Sequence, residues 1–497
     1  MNGKFIILVA MCCALFITNI DETIMNVALP KIQISLGLNV SGLQWLLNAY
    51  TLAMTSLTLT SGILGDIYGC KRIFLIGLVI FTSASLLCGF APNQGILIGG
   101  RSLQGVGAAA LLTASLSILT ETFPQPQEKA KAIGIWTGVS GIALVAGPVV
   151  GGLLVDNFGW QSVFFFNLPF GVIGFLLTCR FVREVRNFKR QSIDVPGLLL
   201  SIVFLSSLTY ALTESQIIFW LLAGAGISLG AFLVLESRSA HPMLPLNLFK
   251  SPTFAVANLV LVLLCFTFMS LLFIFNLFLQ QVQGYSAMGA GLRFLPLNAA
   301  FVFACIVSGW FVVRLGDRLT LLIALTLASL TTLSFMGITV DTEYRAIVFP
   351  LVLSGFGGGL ALATLSTIVM NTAPPDTAGV VSAMVNTSSS LGNVLGIAIQ
   401  GTILTHWLTL NLGRSLSAWN LPSTLQEQII SHILHNGLQI PDHLPAEISP
   451  LALHQVFNHA FVSGLHLVVF IASIALLVGM LLIVGFMPSK LKERSHL

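Results

Sequence analysis

Long apolar runs separated by short turns recur along the whole 497-residue chain. Hydrophobic residues make up 56% of the sequence and charged residues only 8%, whereas soluble domains are about 25% charged. A helix needs about 20 mostly apolar residues to cross the hydrocarbon core of a bilayer. The sequence therefore predicts a multi-pass membrane protein in contact with lipid. It excludes a soluble enzyme, a disordered protein and a nucleic-acid-binding protein.

The apolar runs have the length of membrane helices, whereas barrel strands would show alternating segments of about ten residues. We therefore predict an all-α polytopic membrane protein with about fourteen transmembrane helices. The predicted spans are 5–27, 43–63, 73–91, 96–120, 132–155, 163–182, 195–213, 217–235, 254–279, 288–312, 319–339, 346–371, 379–409 and 461–487.

The positions of lysine and arginine indicate the orientation of the chain, because short cytoplasmic loops are enriched in these residues. If both termini are cytoplasmic, seventeen of the 22 basic residues fall in cytoplasmic loops or tails. The exceptions are Lys31, Arg293, Arg345 and Arg414 in outer loops, and Arg101 inside a span. We therefore expect an even number of spans with both termini in the cytoplasm.

A weak internal repeat relates the two halves at a shift of about 250 residues, as in transporters built from two similar bundles. The segment 62–72 is echoed at 309–318, and Gly-Val-Gly at 105–107 is echoed by Gly-Phe-Gly at 355–357. Two six-helix bundles would leave two inserted central helices. The expected parts are an N-terminal bundle at 1–182, a basic linker with the inserted helices at 183–253, and a C-terminal bundle at 254–497 with a long outer loop at 410–460.

Asp21 and Glu22 lie near the outer end of the first predicted span. Carboxylates at membrane depth are costly and are functional candidates by default. Such a group facing a water-filled cavity can take up a proton or a cation and later release it. Asp21 is the favoured candidate, because adjacent helical residues point about 100° apart and both cannot face one cavity squarely. In the alternative, Asp21 only reaches the outer interface.

Arg101 lies in the fourth span at a depth that matches Asp21, which is roughly 9 Å from the outer end at 1.5 Å per residue. An arginine at this depth needs an anion or a carbonyl partner. We therefore predict that Arg101 pairs with Asp21 and that an arriving proton competes with this pair. In the alternative, Arg101 only bonds backbone carbonyls and fixes helix packing.

Two glycine-rich segments are candidates for moving parts. The fifth span carries Gly147, Pro148, Gly151 and Gly152, and small residues with proline are typical of close, kinked helix contacts. This segment predicts a sliding seal at a cavity wall, or merely a well-packed helix pair. The cytoplasmic loop after the second span predicts a tight gate turn or only a charged topology anchor. Its residues of interest are Gly62, Asp66, Gly69, Lys71 and Arg72.

Several polar residues in spans are candidates for the lining of a cavity, although each also fits an interhelical hydrogen bond or an interfacial anchor. They are Trp45, Asn48, Tyr50, Asn276, Gln280, Asn386 and Asn393. The outer loop at 410–460 contains five histidines, but no cysteine or carboxylate cluster completes a metal site. We expect a surface cap with a short amphipathic helix near 424–438.

Some motifs are missing from the sequence. It contains no GxxxxGK[ST], GxSxG or HExxH, so we expect neither P-loop ATP binding nor a known catalytic set. The seven cysteines form no CxxC pair, and neither a disulfide nor a thiolate metal site is expected. The sequence thus predicts a non-enzymatic protein without a cofactor.

Together these segments resemble the fourteen-span drug:proton antiporter branch of the major facilitator superfamily over essentially the whole chain. The matching residues are Asp21, Thr23, Asn26, Ala28, Leu29 and Pro30 in the first span, Gly62, Leu64, Asp66, Gly69 and Lys71 in the gate loop, Arg101, Gln104, Gly105 and Gly107 in the fourth span, and Gly147, Pro148, Gly151 and Gly152 in the fifth. Departures are Ile67 and Cys70 in the gate motif, Ala143 in the fifth span and Val313 in the second-half gate copy.

The resemblance implies two six-helix bundles that work by alternating access, driven by the proton gradient. It assigns Asp21 and Arg101 to proton coupling, with Glu22, Asn26 and Gln104 beside them. It also implies that Asp66 and its basic neighbours stabilise the outward-facing state. The departures suggest a weaker gate in the first half and none in the second.

We therefore expect a proton-coupled exporter of amphipathic drugs or hydrophobic small molecules in a bacterial inner membrane. A dedicated exporter of one endogenous metabolite, such as a siderophore, is the first alternative. An uncoupled channel or a transporter-derived sensor is the second, and a membrane enzyme is disfavoured. In a Gram-negative cell a periplasmic adaptor would be a further partner.

Overall fold

The computed structural model describes residues 3–184, 195–213, 219–238, 246–372, 378–419, 421–436 and 449–487. These residues form helices joined by short connections, and no strand occurs among them. The helices are α1 (Gly3–Leu36), α2 (Val40–Tyr68), α3 (Cys70–Gly89), α4 (Gln94–Thr122), α5 (Pro126–Phe158), α6 (Ser162–Phe165), α7 (Asn167–Phe181), α8 (Val195–Thr213), α9 (Phe219–Arg238), α10 (Pro252–Leu277), α11 (Ala287–Leu315), α12 (Asp317–Ser334), α13 (Tyr344–Asn371), α14 (Ala378–Ser417), α15 (Ser423–Asn436) and α16 (Pro450–Phe486).

Among the described residues, eleven helical segments are long and apolar enough to cross a membrane. The predicted multi-pass, all-helical character is therefore confirmed. Each predicted span also overlaps a helix, including α2, α8 and α14, which are not among those eleven segments. The total of fourteen spans stays a prediction.

Several helices extend beyond the predicted spans. Helix α1 continues through Pro30 to Leu36, whereas the prediction ended at residue 27, and membrane helices tolerate an internal proline where neighbours satisfy the freed backbone groups. Helix α14 continues to Ser417 and α16 begins at Pro450, so both enter the predicted outer loop. Apolar runs mark only the part of a helix inside the hydrocarbon, which explains these differences.

The short helix expected near 424–438 is present as α15. Residues 437–448, within the predicted outer loop, lie outside the described residues. His443 and the side chain of His435 lie outside the described residues.

The chain divides into two compact units. Unit 1 comprises Met1–Met243, Leu279–Leu292 and Leu416–Ile448, and unit 2 comprises Leu244–Phe278, Arg293–Ser415 and Ser449–Leu497. The unit 1 core is formed by apolar side chains of α1 to α5, including Met11, Phe74, Phe81, Leu111 and Ile118. The unit 2 core is formed by α10 to α14 and α16, including Leu261, Leu325, Leu365 and Leu476.

Glycines bring α4 against its neighbours in unit 1. A Cβ at Gly105 would collide with the carbonyl oxygen of Tyr50 on α2, and a Cβ at Gly107 would collide with Phe81 on α3. Close packing by small residues is the usual means of joining helices in lipid. It fixes the rotation of α4 and with it the direction in which Arg101 points.

Unit 2 repeats this arrangement in its own helices. A Cβ at Gly357 on α13 would collide with the backbone of Ala324 and Ala328 on α12, just as Gly107 on α4 approaches α3. The weak repeat that relates 105–107 to 355–357 in the sequence therefore coincides with equivalent close packing inside each unit.

Candidate functional site

Asp21 on α1 and Arg101 on α4 form a buried ion pair inside unit 1, with exposed fractions of 2% and 1%. Arg101 Nη1 donates to Asp21 Oδ2. Arg101 Nε donates to the carbonyl oxygen of Leu46 at 3.1 Å, and the guanidinium carbon lies 4.5 Å from the centre of the Tyr50 ring. The sequence-predicted pair is thus present, and a carbonyl and an aromatic face also hold the arginine.

The second oxygen of Asp21 accepts hydrogen bonds from two amide side chains. Asn167 Nδ2 on α7 lies 2.7 Å from Asp21 Oδ1, and Gln104 Nε2 lies 3.2 Å from the same atom. An ionised carboxylate can only accept hydrogen bonds, and here it receives three side-chain donors. Both carboxylate oxygens of Asp21 are therefore occupied by side-chain donors.

Ser85 on α3 links the two amides. Its hydroxyl oxygen accepts from Gln104 Nε2 at 2.8 Å and from Asn167 Nδ2 at 3.4 Å, and it donates to the Phe81 carbonyl at 2.9 Å. We call these side chains the Asp21 cluster: Asp21, Tyr50, Ser85, Arg101, Gln104 and Asn167. Each of α1, α2, α3, α4 and α7 contributes at least one member.

The helix geometry explains part of this assembly. Arg101 and Gln104 are three residues apart on α4 and therefore share one face, and Gln104 Oε1 accepts from Arg101 Nη1 at 2.8 Å. Tyr50 packs its ring on Arg101 and donates its hydroxyl to the carbonyl of Thr18 on α1 at 3.2 Å. A change in the charge of Asp21 therefore acts directly on the contacts of α1 with α4 and α7, and through Arg101 on α2.

Glu22 lies outside this cluster. Its side chain is half-buried, and it takes part in none of the hydrogen bonds and ion pairs recorded among the described residues. Asn26 donates to the Glu22 backbone carbonyl at 3.4 Å, and this bond does not involve the Glu22 carboxylate. The structure thus separates the two adjacent carboxylates into one buried and paired group and one partly accessible group.

The glycines of α5 pack against α1 one turn beyond Asp21. A Cβ at Gly147 would collide with the side chain of Thr23, and one at Gly151 would lie 3.3 Å from the Ile24 Cα. Gly134 and Gly138, on the same helix, have no atom near such a Cβ. Among these four glycines of α5, only Gly147 and Gly151 therefore approach α1 closely.

The predicted gate loop is a tight turn at Gly69, whose φ of 106° suits glycine. Glu184, at the start of the basic linker, accepts from the Lys71 backbone N–H at 3.0 Å and lies 3.5 Å from Arg72 Nε. Lys71 Nζ donates to the Cys179 carbonyl at 3.0 Å. A Cβ at Gly62 would meet no atom, and the side chain of Asp66 lies outside the described residues.

The residues proposed to line a cavity lie in different surroundings. Tyr50 is buried in the Asp21 cluster, Asn48 and Asn276 are fully buried, and Trp45 packs on Tyr210 of α8 with ring centres 5.7 Å apart. Gln280 Nε2 donates to the Val27 carbonyl at 3.0 Å. Asn386 is exposed and Asn393 is half-buried. The predicted residues therefore differ in burial and in their contacts, and their role in lining a cavity stays a prediction.

Sequence reasoning missed Asn167, Ser85 and Glu184. Asn167 is a polar residue within the apolar segment 163–182 and is a detectable signal. Ser85 is one of many hydroxyl residues in spans and carries no such signal. Glu184 is an acidic residue in the basic linker at 180–192.

Comparisons with known proteins agree with this architecture. The Major Facilitator Superfamily profile matches residues 11–397. The multidrug resistance protein Stp of Mycobacterium tuberculosis is 34% identical over 493 residues, covering 96% of this chain and 90% of Stp. The methylenomycin A resistance protein of Streptomyces coelicolor is 33% identical over 402 residues, covering 80% of this chain and 84% of that protein.

Solved structures show the same fold. A bacterial homologue of the human lysosomal transporter Spinster, in an inward-facing and unoccupied conformation, matches with a TM-score of 0.69 and 18% identity, covering 99% of both chains. The profile match over most of the sequence and the relatives above 30% identity establish that this chain belongs to the Major Facilitator Superfamily.

Proposed function

We propose that this transporter is a proton-coupled exporter of amphipathic drugs or hydrophobic small molecules, working by alternating access in a bacterial inner membrane. The observation that carries the proposal is the buried ion pair of Asp21 and Arg101. A buried charge pair costs desolvation and is a weak source of stability. Its presence inside a membrane bundle therefore favours a functional role.

Protonation of Asp21 is the proposed coupling step. A protonated carboxyl loses its charge and becomes a donor at one oxygen, so it no longer matches three surrounding donors. Arg101 would then be a buried charge without its counterion, which is strongly unfavourable. The arrangement of α1, α4 and α7 that suits the charged pair is therefore disfavoured once a proton binds.

The names of the relatives support the proposed class of transported compounds. Stp is named as a multidrug resistance protein, whereas the Streptomyces relative is named for resistance to the single compound methylenomycin A. The second name favours the alternative of a dedicated exporter. The number of different compounds that the protein exports distinguishes the two proposals.

We further infer a two-bundle organisation with inserted central helices and both termini in the cytoplasm. In this arrangement the cytoplasmic gate consists of Gly62, Asp66, Gly69, Lys71 and Arg72, and we add Glu184 to it. The ties from Glu184 to the Gly69 turn support this assignment. The proton gradient supplies the energy, and no cofactor takes part.

The test is proton movement in proteoliposomes that contain a pH-sensitive dye and the purified protein. A panel of lipophilic cations and anionic metabolites is added under an imposed pH gradient. We expect several unrelated cations to drive proton counterflow, and Asp21→Asn to abolish it while Glu22→Gln, the adjacent carboxylate change, retains it. Counterflow with one compound only would establish the dedicated exporter. Cargo movement without protons would overturn proton coupling.

A further inference from the structure

The first turn of α11 is attached to α5 by one carboxylate. Asp156 Oδ1 accepts from the backbone N–H of Ala287 at 3.2 Å, and Asp156 Oδ2 accepts from that of Met288 at 2.9 Å. The first N–H groups of a helix have no partner inside the helix, and a negative charge there is favourable. Asp156 therefore satisfies two such groups across 131 and 132 positions of sequence.

Helix α11 does not need Asp156 for its own integrity. Ser286 Oγ accepts from the Gly289 N–H at 3.1 Å, and the Ser286 carbonyl accepts from the Ala290 N–H at 2.8 Å. Ser286 is thus the N-cap that begins the helix. Asp156 adds a tie between two helices.

Glycines line the contact between α5 and α11 next to this tie. A Cβ at Gly152 of α5 would collide with the backbone of Met288, and a Cβ at Gly291 of α11 would collide with the carbonyl of Pro148. Glycine on both sides leaves no side chains interlocked at these points. The two helices can part here without repacking side chains, so the polar tie is the specific contact to be broken.

Breaking the hydrogen bonds of Asp156 costs little free energy at this position. Asp156 is exposed and Met288 is half-buried, whereas Ala287 is buried, so water can replace the partners of the carboxylate and of the Met288 N–H when the contact opens. Residues 279–292 belong to unit 1, whereas α11 continues from Arg293 in unit 2. The tie therefore holds the point at which the chain passes from one unit to the other.

We propose that Asp156 is a releasable latch of the transport cycle, holding the first turn of α11 against α5 in one state and letting it go in the other. This inference rests on the proposed transport function. Asp156 is a positioning residue, since it touches neither the Asp21 cluster nor any cargo-binding group described above.

The test joins the two sides of the latch covalently. Asp156→Cys with Met288→Cys is treated with a short bis-methanethiosulfonate, which joins the two cysteines through disulfide bonds, and export is measured before treatment, after it, and after a reductant has cleaved those disulfides. We expect crosslinking to lower export at least about tenfold, because a cycle that needs the contact to open is blocked. Reduction should restore the rate. Unchanged export in a fully crosslinked sample would overturn the latch.

Two controls accompany this test. Lys4→Cys with Glu128→Cys places a crosslink at an ion pair of 2.7 Å within unit 1, and it should leave export unchanged. Wild-type protein receives the same reagent, because the chain has seven native cysteines.

Amide hydrogen exchange tests the contacts of Asp156 without a transport assay. Asp156→Ala should speed amide exchange at Ala287 and Met288 while Gly289 and Ala290 keep their protection from Ser286. Equal exchange at all four amides in the variant and the wild type would contradict the proposal. If wild-type protein exports nothing, the proposed function fails, and the exchange result still decides whether Asp156 holds the first turn of α11.

Discussion

Asn167 Nδ2 donates a 2.7 Å hydrogen bond to Asp21 Oδ1, joining the first turn of α7 to the middle of α1. Both side chains are almost completely buried. The proposed proton site is therefore held from α7 as well as from α4. The first prediction follows from this contact.

Asn167→Ala should weaken proton-coupled export about ten- to a hundredfold, because a hydrogen bond to a charged group contributes about 1.5–3 kcal/mol. The pH dependence of export should shift as well, since one of the three side-chain donors to the proposed proton site is lost. Asn157→Ala is the matched control, because Asn157 only donates to the Leu153 carbonyl on an exposed surface. An unchanged pH profile in Asn167→Ala would remove Asn167 from the coupling mechanism.

Asp21→Asn should destabilise the protein by about 3–5 kcal/mol, because it leaves Arg101 buried without its counterion. Asp21→Asn combined with Arg101→Gln removes both charges and should recover most of that loss. The double variant should still not couple export to protons. Thermal unfolding of the purified proteins measures the first effect, and the proteoliposome assay measures the second. Additive destabilisation in the double variant would show that the two charges do not interact.

Gly147→Ala should destabilise the protein by about 1–3 kcal/mol and reduce export, since overpacking forces neighbouring groups to move. The new methyl group would collide with Thr23 on α1. Gly138→Ala, on the same helix, meets no atom and should be neutral or slightly stabilising, because alanine is the better helix former. Equal melting temperatures for the two variants would contradict the close contact of α5 and α1.

Gly69→Ala should destabilise the cytoplasmic turn by roughly 1–2 kcal/mol, because residues with a Cβ disfavour positive φ. Its Cβ would also collide with the carboxylate of Glu184. Adding Glu184→Ala should relieve the collision but not the backbone strain, so stability should recover only in part. Gly62→Ala, in open space, is the control. Full recovery in the double variant would show that the backbone conformation at Gly69 carries no cost.

The Asp21 and Arg101 pair could be predicted from the sequence, because depth along a helix follows from counting residues. Asn167 and Ser85 were missed because their contribution depends on how α3 and α7 are rotated and placed beside α1. A single sequence carries no such information. Tyr50 shows the same limit, since its position on α2 was correct but its partner is Arg101.

Glycine patterns had a similar limit. Gly134 and Gly138 have the same small-residue character as Gly147 and Gly151 in the sequence. The structure shows close neighbours only for the second pair. Spacing alone identified a helix able to pack closely, and the position of α1 decides which of its turns does so.

Every member of the Asp21 cluster falls between positions 21 and 167 of the 497-residue chain. If this cluster binds the proton, proton coupling and the selection of cargo can change independently during evolution. Substitutions in unit 2 would then leave the proposed proton site intact. Laboratory selection for a new compound should accumulate its changes away from these six residues.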